Sequence, residues 1–412
     1  MPSFYEFFAG GGMARAGLGD AWECLFANDF DPKKAESYKD NWTDKVLKVE
    51  DVGLLKTSDL SGIPDLIWAS FPCQDLSLAG NGAGLNGDRS GTFWPFWKLV
   101  KGLRKENRNP PLVVLENVCG ALTSHNGEDF RSLIKALRQE GYRAGALVID
   151  AALFVPHSRP RLFIVGVRDD VPVHGLTLGQ ATAPFHTTAI ETAYRNLPAI
   201  DRKAWLWWDL PVPQRRTETF ADIIEEHAPW HTQKQTRFLL DLMLPLHKAK
   251  VEAAKKLKKR VVGTIYKRTR ADETGVKAQR AEVRFDDIAG CLRTPGGGSS
   301  RQSILVVERS KVRSRLLTPR EAARLMGLED TYILPEKYND AYHLMGDGLA
   351  VPVVSHIAIN LLTPLIQNLA LHIAMPRNLA ESQLSSPEDV WQPIMHLEKG
   401  SSRSLQTPLV SM

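Results

Sequence analysis

Four short apolar runs near the start of the chain each stop at a chemically active group, and no other feature constrains the fold as much. Trp22–Ala27 runs into Asn28, Asp29 and Phe30, and Lys45–Val49 into Glu50, Asp51 and Val52. Asp65–Phe71 runs into Pro72, Cys73 and Gln74, and Leu112–Leu115 into Glu116, Asn117 and Val118. Short apolar runs bounded by turn signals read as buried strands. Helical spacing separates them: Asp31–Trp42 reads as a helix, and Phe130–Glu140 places Phe130, Leu133, Ile134 and Leu137 on one face. Alternating strands and helices predict an α/β fold with a largely parallel sheet. Such a sheet presents its carboxyl ends along one edge, where ligands bind.

The chain opens with a strand, Phe4–Phe8, then Ala9-Gly10-Gly11-Gly12, then a short helix from Met13. Strand, glycine turn and helix open a nucleotide-binding unit. A pyrophosphate loop wants a third glycine where Arg15 stands, so the turn favours a nucleoside ligand without phosphates, of which S-adenosylmethionine is the common one. Asp29, 19 positions after Gly10, stands where such folds hold ribose hydroxyls. A lone cysteine is more often a small buried hydrophobe than a catalyst. Cys73, however, ends a strand on the same edge as Asp29, Asp51 and Glu116, and it precedes a polar, glycine-rich stretch, Asp75–Gly91. A thiol held by a core beside a closing loop suits a nucleophile. Two more strands, Ala146–Leu153 and Arg161–Val167, flank His157, Arg159 and Arg161.

From about Gly175 to Phe285 the alternation stops. Trp205, Trp207, Trp208 and Trp230 appear, then a helix-like run, Thr236–Lys259. Between Lys248 and Arg270 stand ten Lys or Arg residues and one acid, Glu252, which reads as a phosphate-contacting surface. The net charge of +5 and pI near 8.9 are compatible with a polyanionic partner. Regular structure resumes at Leu317: Thr318, Pro319 and Glu321 form a helix start with a capping box. The four cysteines show no C-x-x-C spacing, so neither a metal site nor a disulfide framework is expected and the compartment is reducing. No secretory leader is read, and Leu349–Met375 has too many polar breaks for a membrane span. Beyond Pro376 the chain is Ser-rich and expected to be poorly ordered.

Taken in order, these residues resemble the cytosine carbon-5 DNA methyltransferases of restriction-modification type. Phe8 to Gly12 resembles their cofactor loop, Asn28-Asp29-Phe30 and Asp51-Val52 their nucleoside contacts, and Phe71-Pro72-Cys73-Gln74 their nucleophile motif. Glu116-Asn117-Val118 and Arg159-x-Arg161 resemble the two further catalytic motifs; Leu317–Gly327 resembles the segment supporting the recognition domain, and Gly346–Leu349 the closing cofactor motif. Two positions depart: His157 stands where Gln is usual and Asp347 where Asn is usual.

The resemblance implies a Rossmann-like S-adenosylmethionine-dependent methyltransferase sheet with a smaller inserted target recognition domain. Residues 1–174 would begin the catalytic domain, 175–312 form the recognition domain, 313–375 complete the catalytic domain and 376–412 be a disordered tail. It implies that Cys73, Glu116, Arg159 and Arg161 are catalytic: Cys73 adds to cytosine carbon 6, Glu116 binds the base edge at nitrogen 3, Arg161 holds the base carbonyl, and Arg159 orients Glu116 or the Cys73 loop. Two arginines alternating on a strand point to one face, which favours joint action. It further implies S-adenosylmethionine contacts from Phe8, Gly10, Gly11, Gly12, Asp29, Phe30, Asp51, Val52, Pro72, Phe93, Asp347 and Leu349. Ser77, Arg89, Arg284, Arg293 and Arg301 are candidates to touch DNA. The expected partner is double-stranded DNA with a flipped-out cytosine, bound by a cytoplasmic, nucleoid-associated monomer without membrane contact, with a cognate restriction endonuclease acting separately. The same chemistry on RNA is the alternative.

Overall fold

The computed structural model describes residues 1–72, 92–271, 275–293 and 301–374. The first half reads β1 (Ser3–Phe7), α1 (Met13–Leu18), β2 (Glu23–Asp29), α2 (Pro32–Asn41), β3 (Leu47–Val49), β4 (Leu66–Ala69), α3 (Phe93–Lys105), β5 (Leu112–Asn117), α4 (Glu128–Gln139), β6 (Tyr142–Asp150) and β7 (Pro160–Arg168). These strands make one sheet in the order β3-β2-β1-β4-β5-β7-β6. β1, β2, β3, β4 and β5 are parallel, while β7 runs antiparallel to both β5 and β6. Strand order reverses at β1, between β2 and β4, which is where an open α/β sheet forms its ligand crevice. Because β7 is reversed, its first residues, not its last, reach that edge.

The sheet is buried on both faces. Phe4, Trp68, Val114 and Val165 point to one side and Tyr5, Ile67, Val113 and Ile164 to the other. The second face is covered by α3, whose inward residues Phe93, Phe96, Trp97, Val100 and Leu103 follow the helical period, and by α4. The first face is covered by α1 and by helices from the end of the described chain.

Next come β8 (Thr177–Leu178), α5 (Thr188–Arg195), α6 (Ala199–Lys203) and β9 (Trp207–Trp208). The stretch expected to open a separate domain at residue 175 instead continues the large core. Leu206 N–H donates to Ala144 O on β6 at 2.9 Å, Trp208 Nε1 donates to Val165 O at 3.2 Å, and Trp205 packs edge-on against Phe130. Large aromatic side chains gain most by covering an exposed sheet edge, and this sets where the first core ends.

A smaller unit follows: α7 (Gln233–Asp241), α8 (Pro245–Lys256), β10 (Arg260–Ala271), β11 (Lys277–Arg284), β12 (Ser303–Glu308) and β13 (Lys311–Leu316). Its antiparallel sheet, β11-β10-β12-β13, has its own core of Leu239, Met243, Val251, Ile265, Val283 and Leu305. The single helix expected over Thr236–Lys259 is two. Pro245 opens α8, and Leu244 before it is extended (φ −68°, ψ 158°), as a residue preceding proline tends to be. The basic run therefore splits between a helix and a strand. Part of its charge is paired, with Lys255 on Glu252, Arg260 on Glu226 and Arg270 on Glu282.

The chain returns to the large unit through α9 (Pro319–Leu325), α10 (Tyr338–Asp347), α11 (Val351–Ile357) and α12 (Thr363–Ala374). The capping box is present: Glu321 N–H donates to Thr318 Oγ1 at 3.1 Å, and Thr318 N–H to Glu321 Oε2 at 2.8 Å. The 338–374 stretch is long and apolar enough to cross a membrane by length and composition, but half of its most apolar window is buried. α11 lies on α1 so closely that a Cβ at Gly17 would sit 2.3 Å from Val354 Cβ.

Candidate active site

A cleft of about 630 Å³ opens along the carboxyl edge of the sheet, at the reversal point, and one wall comes from the chain after β1. Phe8, Gly10 and Gly12 take left-handed backbone angles (φ 58°, 56° and 78°), which lets the chain turn sharply from β1 into α1. Asp29, at the end of β2, fixes that turn: its Oδ2 accepts from Gly10 N–H at 2.8 Å and its Oδ1 from Asp31 N–H at 2.9 Å. Burial raises the Asp29 pKa against the pull of Lys34 and these two N–H groups. Gly11 O is held by Trp42 Nε1 at 3.0 Å and by the Tyr332 hydroxyl at 2.8 Å.

Asp29, Phe30, Asp51, Val52, Pro72, Leu349 and Asp347 all line the cleft with Phe8, Gly10 and Gly11. Phe30 leaves 67% of its surface open, a free aromatic face at the mouth. Asp347 is drawn onto Lys34, Oδ2 to Nζ 2.9 Å. Burial disfavours the Lys34 charge, but Asp347 and Asp29 outweigh it and hold the ammonium charged. The carboxylate at this position is thereby neutralised within the protein. Phe93 does not join the cleft. It is wholly buried, stacked on Trp97 at 5.6 Å and packed against Phe71, because it lies on the inward face of α3. Gly12 is not a lining residue either; it starts α1, and a Cβ there would meet Trp42 Nε1 at 2.2 Å.

Glu6, which sequence reasoning passed over, lines the same wall. It is buried in β1, its Oε1 accepts from Arg15 N–H at 3.4 Å, and its Oε2 has no hydrogen-bond partner among the described residues. Burial pushes its pKa up to about 8. An unpartnered buried carboxylate oxygen is costly unless something fills it. A cationic ligand group would do so. The signal in the sequence was a lone charge inside an otherwise aromatic strand.

The opposite wall carries the acid–base groups. Glu116 is next to last in β5 and is 7% exposed; burial raises its pKa, opposed by Arg161, by Arg159 and by a hydrogen bond with Ser70. Arg161 Nε stands 3.4 Å from Glu116 Oε1. Asn117 reaches sideways: its Nδ2 donates to Phe71 O at 3.1 Å and its Oδ1 accepts from Val118 N–H at 2.9 Å. It thus pins the backbone just ahead of Pro72. Arg159 and Arg161 share the cleft, and both act electrostatically on Glu116 and on Cys291. Arg159 is 2% exposed, and its Nη2 donates to Gly346 O at 2.9 Å and Gly348 O at 2.6 Å. Its Nη1 donates to Leu292 O at 3.3 Å and contacts Cys291 Sγ at 3.5 Å. Arg159 precedes β7, in the turn, while Arg161 lies within it.

Cys73, Ser77 and Arg89 lie outside the described residues. Arg284, Arg293 and Arg301 stand away from the cleft lining. Arg284 Nε is on Asp286 Oδ1 at 2.6 Å; Arg301 bonds Asn339 and lies over the Tyr338 ring at 5.1 Å; Arg293 is exposed. Among the described residues no group of three or more His, Cys, Asp or Glu side chains is placed to hold a metal ion.

Residues 3–363 match the family profile described as C-5 cytosine-specific DNA methylase. The chain belongs to this family. It is a DNA cytosine-5 methyltransferase, of a family that implies methylation dependent on S-adenosylmethionine. It is 26% identical over 373 residues to the Type II methyltransferase M.Bsp6I of Bacillus sp. (strain RFL6), covering 88% of this chain and 98% of that one. With the Type II methyltransferase M.HpaII of Haemophilus parainfluenzae it shares 25% over 375 residues, covering 85% and 87%. The fold is that of the S. pombe Dnmt2 methyltransferase, with a TM-score of 0.56 at 18% identity over 89% of this chain and 99% of that one. The cleft of this methyltransferase suits the cofactor: among the described residues it offers an unpartnered Glu6 oxygen for a cationic amine, the Gly10–Gly11 turn and an open Phe30 face.

Proposed function

We propose that the methyltransferase acts on a cytosine flipped out of duplex DNA, through a covalent adduct on Cys73. The observation that carries this is the placement of Glu116 and Arg161, 3.4 Å apart, in one cleft with Pro72 and the Gly10–Asp29 turn. Cys73 follows Pro72 directly in the chain. S-adenosylmethionine supplies a methyl group on a sulfonium and leaves as the neutral thioether. Glu6 would meet its ammonium, Asp29, Phe30, Asp51 and Val52 its nucleoside, and the Gly10–Gly11 turn, Pro72, Asp347 and Leu349 the rest of the pocket.

The Cys73 thiolate forms a bond from Sγ to carbon 6, and Glu116, whose pKa burial raises, shares a proton with nitrogen 3. The electron pair pushed to carbon 5 makes that carbon the nucleophile for the methyl group. Loss of the carbon-5 proton to a base then expels Sγ and restores the ring. Splitting one hard substitution into two addition–elimination steps is the gain of a covalent nucleophile. Arg161 holds Glu116 and the base carbonyl. The small sheet is proposed to read the target, with the exposed Arg293 and with Ser77, Arg89, Arg284 and Arg301 as further DNA contacts. A monomer in the cytoplasm, with a separately acting endonuclease of the same target, completes the reading.

The test uses duplex DNA substituted with 5-fluorocytosine, whose carbon 5 has no proton to lose after methylation. The expected result is a denaturant-stable complex, dependent on S-adenosylmethionine and absent with Cys73→Ser. An adduct mapped to a different residue, or none with active wild-type enzyme, would sink the covalent reading.

A further inference from the structure

His157 is wholly buried, and its two ring nitrogens face two different elements. Nδ1 stands 3.1 Å from Leu325 O, at the end of α9; a carbonyl only accepts, so Nδ1 carries the hydrogen. Nε2 accepts from Leu292 N–H at 3.1 Å, so it is bare. A single neutral tautomer satisfies both contacts. Burial and the neighbouring Arg159 hold the ring's pKa well below its ordinary value, which keeps it in that form.

Around this ring two chain segments are stitched together. Ala289 N–H donates to Pro156 O at 2.7 Å and Ser158 N–H to Ala289 O at 2.8 Å. Arg159 adds its bond to Leu292 O at 3.3 Å. Residues 289–292 lead out of β11 of the small sheet toward exposed Arg293. The other arm of Arg159 grips Gly346 O and Gly348 O at the cofactor wall.

We propose that His157 is a positioning residue: by pairing one donor and one acceptor with Leu325 O and Leu292 N–H, it fixes segment 289–292, which follows β11 of the small sheet, against the base pocket, and so sets how DNA is presented to it. The inference rests on the reading of the small sheet as the DNA-facing unit. Neutral imidazole and a primary amide each offer one donor and one acceptor at this reach. Glutamine therefore substitutes for it, whereas leucine fills the space but strands two buried backbone groups.

Three variants decide it, read by anisotropy of a fluorescein-labelled duplex carrying the methylated motif, by calorimetry with S-adenosylhomocysteine, and by steady-state kinetics. His157→Leu should weaken duplex binding and raise the KM for DNA by about 10-fold or more, the usual consequence of stranding buried hydrogen-bonding groups. Affinity for S-adenosylhomocysteine and kcat at saturating DNA should stay near wild type, and His157→Gln should restore DNA binding. If His157→Leu does not fold, His157→Asn, a methylene too short to span both partners, is read in its place with the same expectation. Duplex binding unchanged in the Leu or Asn variant, Gln failing as badly, or cofactor affinity falling in parallel with DNA affinity would each overturn the proposal. Failure of the Cys73 reading shows separately, as no adduct in the wild type.

Discussion

Glu116→Gln lowers kcat by about 10²–10⁴-fold, the range that a positioned acid or base contributes, and leaves S-adenosylhomocysteine affinity unchanged. The amide keeps the shape and the contact with Arg161 but has no acidic proton for nitrogen 3. The pH profile separates this role from a structural one. Burial raises the Glu116 pKa, so its acid form persists to higher pH than in an ordinary carboxyl. In the wild type kcat should fall as pH rises through that pKa, and in Glu116→Gln this limb should vanish. A variant retaining near-wild-type kcat, or one with the limb intact, would remove Glu116 from the chemistry.

The largest effect on stability is expected at Glu321→Ala. Glu321 and Arg315 are almost wholly buried between the two units, side-chain exposures 0% and 1%. Arg315 grips both carboxylate oxygens, with Nη1 to Oε2 at 2.7 Å, and Nη2 also donates to Glu225 O at 2.9 Å. Glu225 N–H donates to Glu321 Oε1 at 2.6 Å, and Thr318 N–H caps α9 through Oε2. Removing one member leaves a buried guanidinium uncompensated, which costs about 3–5 kcal/mol. The urea midpoint should fall accordingly. Exchanging both members, as Arg315→Met with Glu321→Leu, should recover much of it, since no charge is then stranded. Equal destabilisation by the single and the double exchange would show that the pair matters for shape and not for charge.

The edge of the sheet was legible because strands and helices carry different apolar periods. Asp29, Asp51 and Glu116 fall at strand ends for that reason, and the Thr318–Glu321 cap is a local signal that needs no tertiary knowledge. What escaped depends on contacts between distant residues. Phe93 reads as a plausible ligand contact, yet its position on α3 turns it into the core. Glu6 hides inside a strand, and Lys34, the partner of Asp347, lies 313 positions away in sequence. His157 looks like a departure in a motif, and its partners Leu292 and Leu325 are 135 and 168 positions off. The Trp205–Trp208 stretch reads as the start of a new domain because its strands are two residues long, too short for a period to show.

The central claim is methylation of cytosine carbon 5 in duplex DNA by way of Cys73. Its most direct test is bisulfite sequencing of DNA and RNA from cells that lack cytosine methylation and express the chain, with Cys73→Ser alongside. Protected cytosines are expected in one short motif on duplex DNA, lost in Cys73→Ser. Protection confined to RNA, or persisting in Cys73→Ser, would contradict it.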